Sequence, residues 1–145
     1  MRAFVVGLLT LGLLTVIHMP TAGADEQAKA SGKPQIVAVK FHADWCGSCR
    51  RMGSVFEDLA IVSEDEPVLF ARLDLTDRRS RKQAAYLMTM LGLQEAWEGA
   101  GAGQKTGFIL LIDPATKQPV GQLTADQDVK QMKAALLDVL SKNRG

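Results

Sequence analysis

The sequence predicts a three-layer α/β/α fold on a mixed four-stranded sheet, with the element order β-α-β-α-β-β-α. Short runs of β-branched and apolar residues alternate along the chain with longer stretches in which apolar residues recur at helical spacing. Such alternation is typical of a sheet covered by helices. In addition, the third and fourth runs are separated only by a turn, which predicts that they pair as an antiparallel hairpin.

The first strand is predicted at residues 35–41, where "QIVAVKF" is rich in β-branched and apolar residues and follows Gly32 and Pro34. From Cys46 onwards the pattern changes to helical spacing. The apolar residues at this spacing are Met52, Val55, Phe56 and Leu59. Cys46 is therefore predicted to lie where a strand is followed by a helix, at or near the helix N-terminus.

The next four elements continue the alternation. Residues 67–75 ("PVLFARLDL") predict a second strand, and residues 76–91 predict a helix. Residues 107–113 ("GFILLID") predict a third strand. The turn "PATKQP" then leads to a fourth strand, "VGQLT", at residues 120–124.

The last helix is predicted from a capping signal and an apolar face. Thr124 and Gln127 match a capping box, which places the start of the helix after Thr124. The apolar face consists of Val129, Met132, Leu136, Leu137 and Leu140. In the preceding helix, the residues expected in the core or at its edge are Tyr86, Met88 and Met90.

The N-terminus has the layout of a secretory signal peptide. Arg2 precedes an uncharged apolar run at residues 3–17, and the segment ends in the small-residue pattern "AGA". Pro20 closes the run before it reaches the roughly 20 apolar residues that a spanning helix needs. We therefore expect cleavage after Ala24, a periplasmic or secreted protein, and no stable membrane insertion after cleavage.

Cleavage would divide the chain into a signal peptide at 1–24, a short linker at 25–34 and one domain at 35–145. Of the 145 residues, 121 would remain, which is the usual size of a single domain. Cleavage removes one of 17 basic residues and none of 16 acidic residues, so the net charge is near zero. This balance gives no reason to expect nucleic acid or an anionic membrane as a partner.

The two cysteines of the chain, Cys46 and Cys49, lie three positions apart in "CGSC". A disulfide between them closes a loop too short to constrain the unfolded chain, so it stabilises the fold poorly. A zinc site needs about four ligands, and the cleaved chain offers these two thiols and a single histidine, His42. We therefore expect no metal and no cofactor, and interpret the pair as a reactive dithiol.

The predicted position at a helix N-terminus suggests different roles for the two thiols. Unpaired backbone N–H groups and the helix dipole favour an anion there, so they should lower the pKa of Cys46. Cys49 lies one turn further into the helix and should be more shielded. We expect Cys46 to attack a substrate disulfide and Cys49 to resolve the mixed disulfide. Gly47 gives the spacer freedom, and Ser48 can offer a hydroxyl near the sulfurs.

The segment "ADWCGSC" between a strand and a helix, followed by α-β-β-α, resembles the thioredoxin superfamily. With the export signal and the single-domain size, it is similar to the exported branch of that superfamily, including the C-terminal thioredoxin-like domain of the membrane reductant conductor DsbD. The resemblance covers roughly residues 35–140. It implies a thioredoxin-like fold in which Trp45 flanks the active site, Cys46 is the nucleophile and Cys49 is the resolving thiol.

The chain departs from the family pattern at residues 106–107. The family usually places a cis-proline immediately before its third main strand, facing the cysteines and guiding the substrate backbone. Thr106 and Gly107 take the corresponding positions and are predicted to bind substrate. Because a non-proline cis bond costs about 2.5–4 kcal/mol, we expect a trans bond here. Glycine would still let a substrate chain approach closely.

Lys40 is a second departure, since many thioredoxins carry a carboxylate at this strand position that helps to move protons. A lysine near the sulfurs would stabilise the Cys46 thiolate, and a fully buried one would be neutral. A third interpretation is a strand lysine whose ammonium reaches water. His42 has two interpretations as well: an imidazole that titrates near the site, or a solvent-facing side chain.

The segment "QEAWEGAGAGQK" at residues 94–105 is interpreted as an inserted, flexible loop, because Gly99, Gly101 and Gly103 interrupt it. Its end leads to the position that faces the cysteines. Trp97 is therefore predicted either to close over the site and contact substrate or a partner, or to pack on the body of the domain in a surface excursion.

The sequence favours an exported protein-disulfide oxidoreductase, and it favours reduction of protein disulfides over their formation. Its expected partners are disulfide-containing exported proteins, with reduction of apocytochrome c as one case, and a membrane thiol-disulfide electron donor. One alternative is a thioredoxin-fold binding module with weak or no redox catalysis, which the missing proline and the insertion favour. Another is metal capture by Cys46 and Cys49 with a ligand from a second subunit.

Overall fold

Four strands form one mixed sheet at the centre of the part of the chain that the computed structural model describes, residues 32–101 and 103–143. The strands are β1 (Ile36–His42), β2 (Val68–Asp74), β3 (Phe108–Ile112) and β4 (Pro119–Thr124). The spatial order is β2-β1-β3-β4; β1 and β2 are parallel, whereas β3 is antiparallel to both β1 and β4. All four strands lie within one residue of their predicted bounds, and the predicted hairpin of β3 and β4 is confirmed.

The helices of the described ranges cover both faces of this sheet. They are α1 (Gly47–Met52), α2 (Val55–Val62), α3 (Arg78–Met90), α4 (Gln94–Gly99) and α5 (Val129–Asn143). The alternation of side chains along β1 divides the core in two: Val37, Val39 and Phe41 pack with residues of α3 and α4, while Ile36 and Ala38 pack with residues of α2 and α5. The predicted three-layer α/β/α fold with a mixed four-stranded sheet is therefore confirmed.

The helix predicted from Cys46 is two helices in the structure, because the chain breaks at Gly53. Gly53 has a φ of +50°, a conformation that favours glycine, and it ends α1 with its N–H bonded to the carbonyl of Cys49. Ser54 then precedes α2, whose Phe56 and Leu59 are buried. The break confines α1 to six residues, with Cys46 as its N-cap and Cys49 inside it.

The prediction of a loop at residues 94–105 is wrong for the first half of that segment, which forms helix α4. Leu93, Ala96 and Trp97 are buried and recur at helical spacing, and they hold this helix against the core below β1. The side-chain amide of Gln94 also donates to Glu98 one turn later. The glycine-rich sequence after Trp97 concealed this short amphipathic pattern.

The capping box of the last helix lies four residues later than predicted. Asp128 accepts a hydrogen bond from the N–H of Gln131 at 2.8 Å, and the Gln131 side chain accepts from the N–H of Asp128 at 2.9 Å. Gln127 instead accepts from the N–H of Thr124 and closes the turn that follows β4. The sequence pattern fitted both sites, and α5 begins after the second one.

Some predicted core residues of the helices are exposed. Met88 is buried as expected, but Tyr86 and Met90 lie on the outer side of α3, with Met90 85% exposed. On α5 the buried residues are Met132, Leu136 and Leu140, whereas Leu137 faces outwards. One apolar stripe of each helix is enough to cover the sheet, so apolar residues beside that stripe remain in contact with solvent.

The predicted signal peptide at 1–24, and the predicted linker as far as residue 31, lie outside the described residues. In the part of the chain that the structure describes, no helix is both long enough and apolar enough to cross a membrane.

Candidate active site

Cys46 lies at the junction between β1 and α1 and is the N-cap residue of α1. Its backbone is extended, with φ −81° and ψ 117°, and its sulfur accepts a hydrogen bond of 3.1 Å from the N–H of Cys49. The turn that leads into it is closed by a hydrogen bond of 3.0 Å from the Cys46 N–H to the carbonyl of Ala43. A sulfur thus takes the place of the oxygen that usually caps a helix, at the end of the helix that favours negative charge.

Cys49 lies one turn into α1, and both cysteines are free thiols. Both residues are buried, with Cys46 6% and Cys49 4% exposed. The Cys49 thiol points to the carbonyl of Phe41 in β1, with a sulfur to oxygen distance of 3.7 Å. The second thiol of the pair therefore lies between the helix and the end of the central strand.

The surroundings of Cys46 favour its thiolate. Burial raises the pKa of this thiol, but several hydrogen bonds oppose burial and together prevail. They come from the side chains of Cys49 and Thr106 and from the backbone N–H groups of Cys49 and Ser48. The pKa of Cys46 consequently lies below its ordinary value, so a larger fraction of Cys46 is thiolate near neutral pH.

The surroundings of Cys49 favour its neutral thiol. Burial raises the pKa of Cys49, and the hydrogen bond to Cys46 and the charge of the Cys46 thiolate raise it further. Hydrogen bonds to the backbone of Ala43 and to the side chain of Thr106 oppose this shift without cancelling it. The two thiols are therefore unequal, with Cys46 the stronger acid.

Thr106 and Gly107 bring the start of β3 against the two sulfurs. The bond between them is trans, as the absence of proline predicts. Gly107 has a φ of +84°, and a Cβ atom added to it would lie 2.5 Å from Cβ of Ser48 and 3.1 Å from Sγ of Cys46. The Gly107 N–H donates to the carbonyl of Phe41 at 2.8 Å. Glycine is thus required both by the conformation and by the close approach to the dithiol.

Trp45 is held by its indole nitrogen and leaves most of its ring in solvent. Its N–H donates to the carbonyl of Thr76 at 3.0 Å, and the side chain is 54% exposed. The preceding Asp44 N–H donates to the Thr76 hydroxyl, which in turn donates to Asp74 at 2.6 Å. The loop before the cysteines is therefore fixed to the end of β2 and presents an aromatic surface beside Cys46.

The spacer residues between the cysteines face outwards. Gly47 is exposed, and Ser48 is half-buried with its hydroxyl accepting a hydrogen bond of 3.0 Å from Arg51. Arg50 donates to the carbonyl of Asp44 at 3.2 Å. Two guanidinium groups consequently lie on the exposed side of α1, next to the dithiol.

His42 and Lys40 both differ from the solvent-facing interpretation of the sequence. His42 is half-buried; its Nε2 lies 3.2 Å from a carboxylate oxygen of Asp44, and its Nδ1 is buried without a hydrogen-bond partner in the described part of the chain. Lys40 is only 2% exposed, and its ammonium does not extend to water. Its Nζ lies near the C-terminal end of α1, 3.5 Å from the carbonyl oxygen of Gly53, and 3.5 Å from Oε1 of Glu57 in α2.

Trp97 does not close over the dithiol. It is 4% exposed, and its ring stacks on Phe41 with centroids 5.9 Å apart. Gly103 lies against the outer edge of the indole, since a Cβ atom there would be 2.7 Å from the ring. Of the two interpretations of Trp97, the structure therefore agrees with packing on the body of the domain and not with closure over the site. The side chain supports Phe41, whose carbonyl accepts from Cys49.

A cleft of about 590 Å³ opens beside Thr106, and no pattern in the sequence predicts it. The residues that line the cleft are Gly99, Ala100, Lys105, Thr106, Phe108, Leu110, Pro119 and Gln122. Phe108, Leu110 and Pro119 form the apolar part of the lining, and Lys105 is the one charged side chain among these residues. Because β4 begins 20 residues after the end of α4, the fold is needed to bring Pro119 and Gln122 to the same cleft as Gly99.

The side chains that could hold a metal do not cluster. Within residues 32–101 and 103–143, no group of three or more histidine, cysteine, aspartate or glutamate side chains is arranged to bind a metal ion.

Comparison with known proteins gives one family. The profile of the family described as Thioredoxin matches residues 19–93. The thioredoxin of Ictalurus punctatus is 32% identical over 62 residues, which cover 43% of this chain and 58% of that protein. The thioredoxin of Malassezia sympodialis is 26% identical over 94 residues, or 65% of this chain and 86% of that protein.

More distant similarity extends to a larger protein and to solved structures. A protein disulfide-isomerase of Zea mays is 29% identical over 66 residues, which cover 44% of this chain and 13% of the isomerase. This chain therefore spans only a part of the I. punctatus and Z. mays proteins. The crystal structure of the M. sympodialis thioredoxin has a TM-score of 0.45 and 20% identity, with 79% of this chain and 86% of that chain covered.

Proposed function

The chain belongs to the thioredoxin family, and we propose that it is a thiol-disulfide oxidoreductase that exchanges the Cys46–Cys49 dithiol with disulfides of other proteins. The observation that carries this proposal is the asymmetry of the two thiols. Cys46 caps a helix and has a lowered pKa, whereas Cys49 is buried behind it with a raised pKa. An attacking thiolate next to a protonated resolving thiol is what disulfide exchange requires.

The first step is attack by the Cys46 thiolate on one sulfur of the substrate disulfide. A bond forms between Cys46 Sγ and that sulfur, the substrate S–S bond breaks, and the other substrate sulfur leaves as a thiolate that takes a proton. The backbone N–H of Cys49, 3.1 Å from Cys46 Sγ, is positioned to stabilise the anion before attack. The exposed ring of Trp45 offers an apolar surface to the approaching chain.

The second step is resolution by Cys49. Its thiol loses a proton and attacks Cys46 Sγ, which forms the Cys46–Cys49 disulfide and releases the second substrate thiol. In total, two electrons and two protons pass from the protein dithiol to the substrate disulfide. A further dithiol must then return two electrons to the oxidised protein, and we infer that a membrane thiol-disulfide donor supplies it.

The segments around Gly107 are suited to a polypeptide substrate. Gly107 is buried, and the absence of a side chain lets the backbone before β3 lie directly against Cys46 Sγ and Ser48. From Thr106 the cleft extends along β3 and β4, with apolar walls from Phe108, Leu110 and Pro119. A cleft of about 590 Å³ is large enough for two or three side chains that flank a substrate cysteine.

We also propose that the protein acts after export, in the periplasm or an equivalent space, and that it reduces disulfides of exported proteins. The apolar N-terminal sequence and the similarity of "ADWC" to the DsbD domain support this placement and direction. Expression of the protein with a C-terminal tag tests this proposal. The periplasmic fraction should contain a chain whose mass is that of a protein beginning at Asp25. A full-length chain in the cytosol would contradict the export proposal.

Two single variants test the activity, and each of them lacks one of the two sulfurs. Cys49→Ser should accumulate a mixed disulfide with a substrate such as insulin, because no thiol remains to resolve it. Cys46→Ser, which keeps the buried thiol, should trap little and should lose insulin reduction in the presence of dithiothreitol. Equal trapping by both variants, or wild-type turnover no faster than the dithiothreitol background, would reject the oxidoreductase.

The direction of transfer is tested by equilibrium with glutathione. A reduction potential near the thioredoxin value of about −270 mV supports a reductase, whereas a value towards roughly −120 mV supports an oxidase. A binding module is the second candidate, and the replacement of the usual proline by Gly107, whose N–H is bonded to Phe41, favours it. Binding of a partner that persists in Cys46→Ser, without any turnover by the wild type, would establish that candidate instead.

A further inference from the structure

Lys40 is a buried cation at the centre of the fold. It lies in β1, and its Nζ is 3.5 Å from Oε1 of Glu57, 3.5 Å from the carbonyl oxygen of Gly53 and 5.1 Å from the centre of the Phe56 ring. All three partners belong to the end of α1 or to α2. A charged group is rarely buried unless it is paired, because water solvates it far better than the protein interior does.

The charges around Lys40 do not cancel. Arg72 is the neighbour of Lys40 across the β1–β2 pair, and its guanidinium lies 3.6 Å from the same oxygen of Glu57. We call Lys40, Glu57 and Arg72 the Lys40 cluster. Two cations share one carboxylate, so the cluster carries a net charge of +1, and Lys40, at 2% exposure, is its least solvated member.

The Lys40 cluster is linked to the dithiol through α1. The Gly53 carbonyl that faces Lys40 belongs to the residue whose N–H is bonded to the carbonyl of Cys49. Gly53 follows Cys49 by four residues, which is about 6 Å along a helix axis. The dipole of α1 has its positive end at Cys46, and a positive charge at the C-terminal end of α1 adds to the positive potential there. Both fields therefore stabilise an anion at the sulfur.

We propose that Lys40 is a positioning residue that raises the reduction potential of the Cys46–Cys49 pair through its buried charge. The inference rests on the proposed exchange function. Reduction of the disulfide adds two electrons and one proton, and it yields the thiolate of Cys46 with the thiol of Cys49. A buried positive charge stabilises that reduced state but has little interaction with the neutral disulfide. Lys40 consequently makes the pair a stronger oxidant than the same four-residue motif would be with a neutral residue in β1.

The negative charge of Glu57 must then lower the reduction potential. Substitutions of Lys40 and of Glu57 should therefore shift the potential in opposite directions. Unit charges about 10 Å apart, at an effective dielectric constant near 20, interact strongly enough to change an equilibrium constant roughly tenfold. For a two-electron couple a tenfold change corresponds to 29.6 mV. Removing the cation should make the pair more reducing, and removing the carboxylate should make it more oxidising.

The experiment measures the equilibrium of each purified variant with reduced and oxidised glutathione. Lys40→Met should shift the equilibrium about tenfold towards the protein disulfide, and Glu57→Gln should shift it towards the dithiol. Lys142→Met is the matched control, because Lys142 also pairs with a carboxylate but is 72% exposed on α5; its equilibrium should stay within twofold of the wild type. Melting temperatures of all variants report any loss of stability.

A purely structural role for Lys40 predicts lower melting temperatures in both variants, with shifts of the same sign or no shift. Shifts that have the same sign, or that stay below twofold, would therefore overturn the proposal. If Lys40→Met does not fold, Arg72→Met replaces it, since Arg72 is half-exposed and its loss should shift the equilibrium in the same direction by a smaller factor.

The rate of Cys46 alkylation by iodoacetamide at pH 7 separates this inference from the proposed function. The rate reports the thiolate fraction and requires no turnover. It should fall in Lys40→Met and rise in Glu57→Gln even if the protein reduces no substrate. A wild type that fails to exchange with glutathione would reject the oxidoreductase, whereas unchanged alkylation rates would reject the role of Lys40.

Discussion

Gly107 donates a hydrogen bond of 2.8 Å from its N–H to the carbonyl of Phe41, and the same carbonyl faces the Cys49 thiol at 3.7 Å. The end of the central strand thus receives one donor from the segment before β3 and one from the active-site helix. A proline at position 107 would lack the N–H. The hydrogen bond from Gly107 to Phe41 therefore holds this segment against the dithiol.

The first prediction concerns Gly107→Ala. The added Cβ atom would lie 2.5 Å from Ser48 Cβ and 3.1 Å from Cys46 Sγ, at a φ that L side chains rarely adopt. We expect a loss of about 1–3 kcal/mol in the free energy of unfolding. Exchange with glutathione should also slow, because withdrawal of the segment would remove the Thr106 hydroxyl that helps to lower the pKa of Cys46. Urea denaturation of the reduced protein and stopped-flow thiol exchange measure the two effects.

Gly99→Ala is the control for that substitution. Gly99 ends α4, and a Cβ atom there meets no atom within 4 Å, so the change should be neutral or slightly stabilising. Equal losses of stability in the two variants would show that the effect at position 107 does not come from contact with the dithiol.

The second prediction concerns the acidity of Cys46. The Thr106 side chain helps to lower the pKa of this thiol, after the larger effect of the Cys49 side chain and against the effect of burial. Thr106→Val keeps the shape but removes the hydroxyl, so the pKa of Cys46 should rise. The pH at which alkylation reaches half its maximal rate should therefore be higher in Thr106→Val than in the wild type.

A pair of substitutions at Cys49 checks the same acidity independently. Serine keeps a hydrogen-bond donor at the position of the Cys49 thiol, whereas alanine removes it. The alkylation profile of Cys46 should therefore lie at lower pH in Cys49→Ser than in Cys49→Ala. Identical profiles would mean that the Cys49 side chain does not stabilise the Cys46 thiolate.

The sheet and the position of Cys46 follow from local sequence, because each strand is a short apolar run bounded by turn residues. The N-cap position of Cys46 is likewise visible as the point where the residue pattern changes from strand to helix. Prediction of secondary structure from the local residue pattern failed where glycines dominate that pattern. Helix α4 was missed because three glycines follow Trp97, although Leu93, Ala96 and Trp97 already have helical spacing.

The partners of the buried charge could not be read from the sequence. Lys40 and Glu57 are 17 residues apart and belong to different elements, and their contact depends on how α2 packs on β1 after the break at Gly53. The sequence left three environments open for Lys40. Only the tertiary structure shows that the ammonium is buried and paired, and that its partner also binds Arg72.

The third prediction concerns the contact of Gly103 with Trp97. A Cβ atom at Gly103 would lie 2.7 Å from the indole ring, and Gly103 has a φ of +76°. Gly103→Ala should therefore displace Trp97 from Phe41 and lower the free energy of unfolding by about 1–3 kcal/mol. In a Trp45→Phe background, where Trp97 is the single tryptophan, the emission maximum should move to longer wavelength. Unchanged emission and stability would contradict this packing.

The fourth prediction concerns substrate choice at the cleft beside Thr106. Lys105 is exposed and is the one charged residue of its lining, so it should attract a carboxylate next to the substrate cysteine. Lys105→Glu should lower kcat/KM about tenfold for a peptide disulfide with acidic flanking residues and raise it for one with basic flanking residues. Reduction of glutathione disulfide at saturation should change little, because the thiols themselves are unaltered.

Lys130→Glu makes the same change of charge at an exposed position on α5, outside the cleft lining, and serves as the control for net charge. It should alter the two peptides equally and by less than twofold at 0.15 M salt, where exposed charges more than about 8 Å apart are screened. If Lys105→Glu and Lys130→Glu have the same small effect, the substrate does not enter the cleft. A selective effect of Lys105→Glu that disappears when the flanking residues are neutral places a substrate carboxylate beside Lys105.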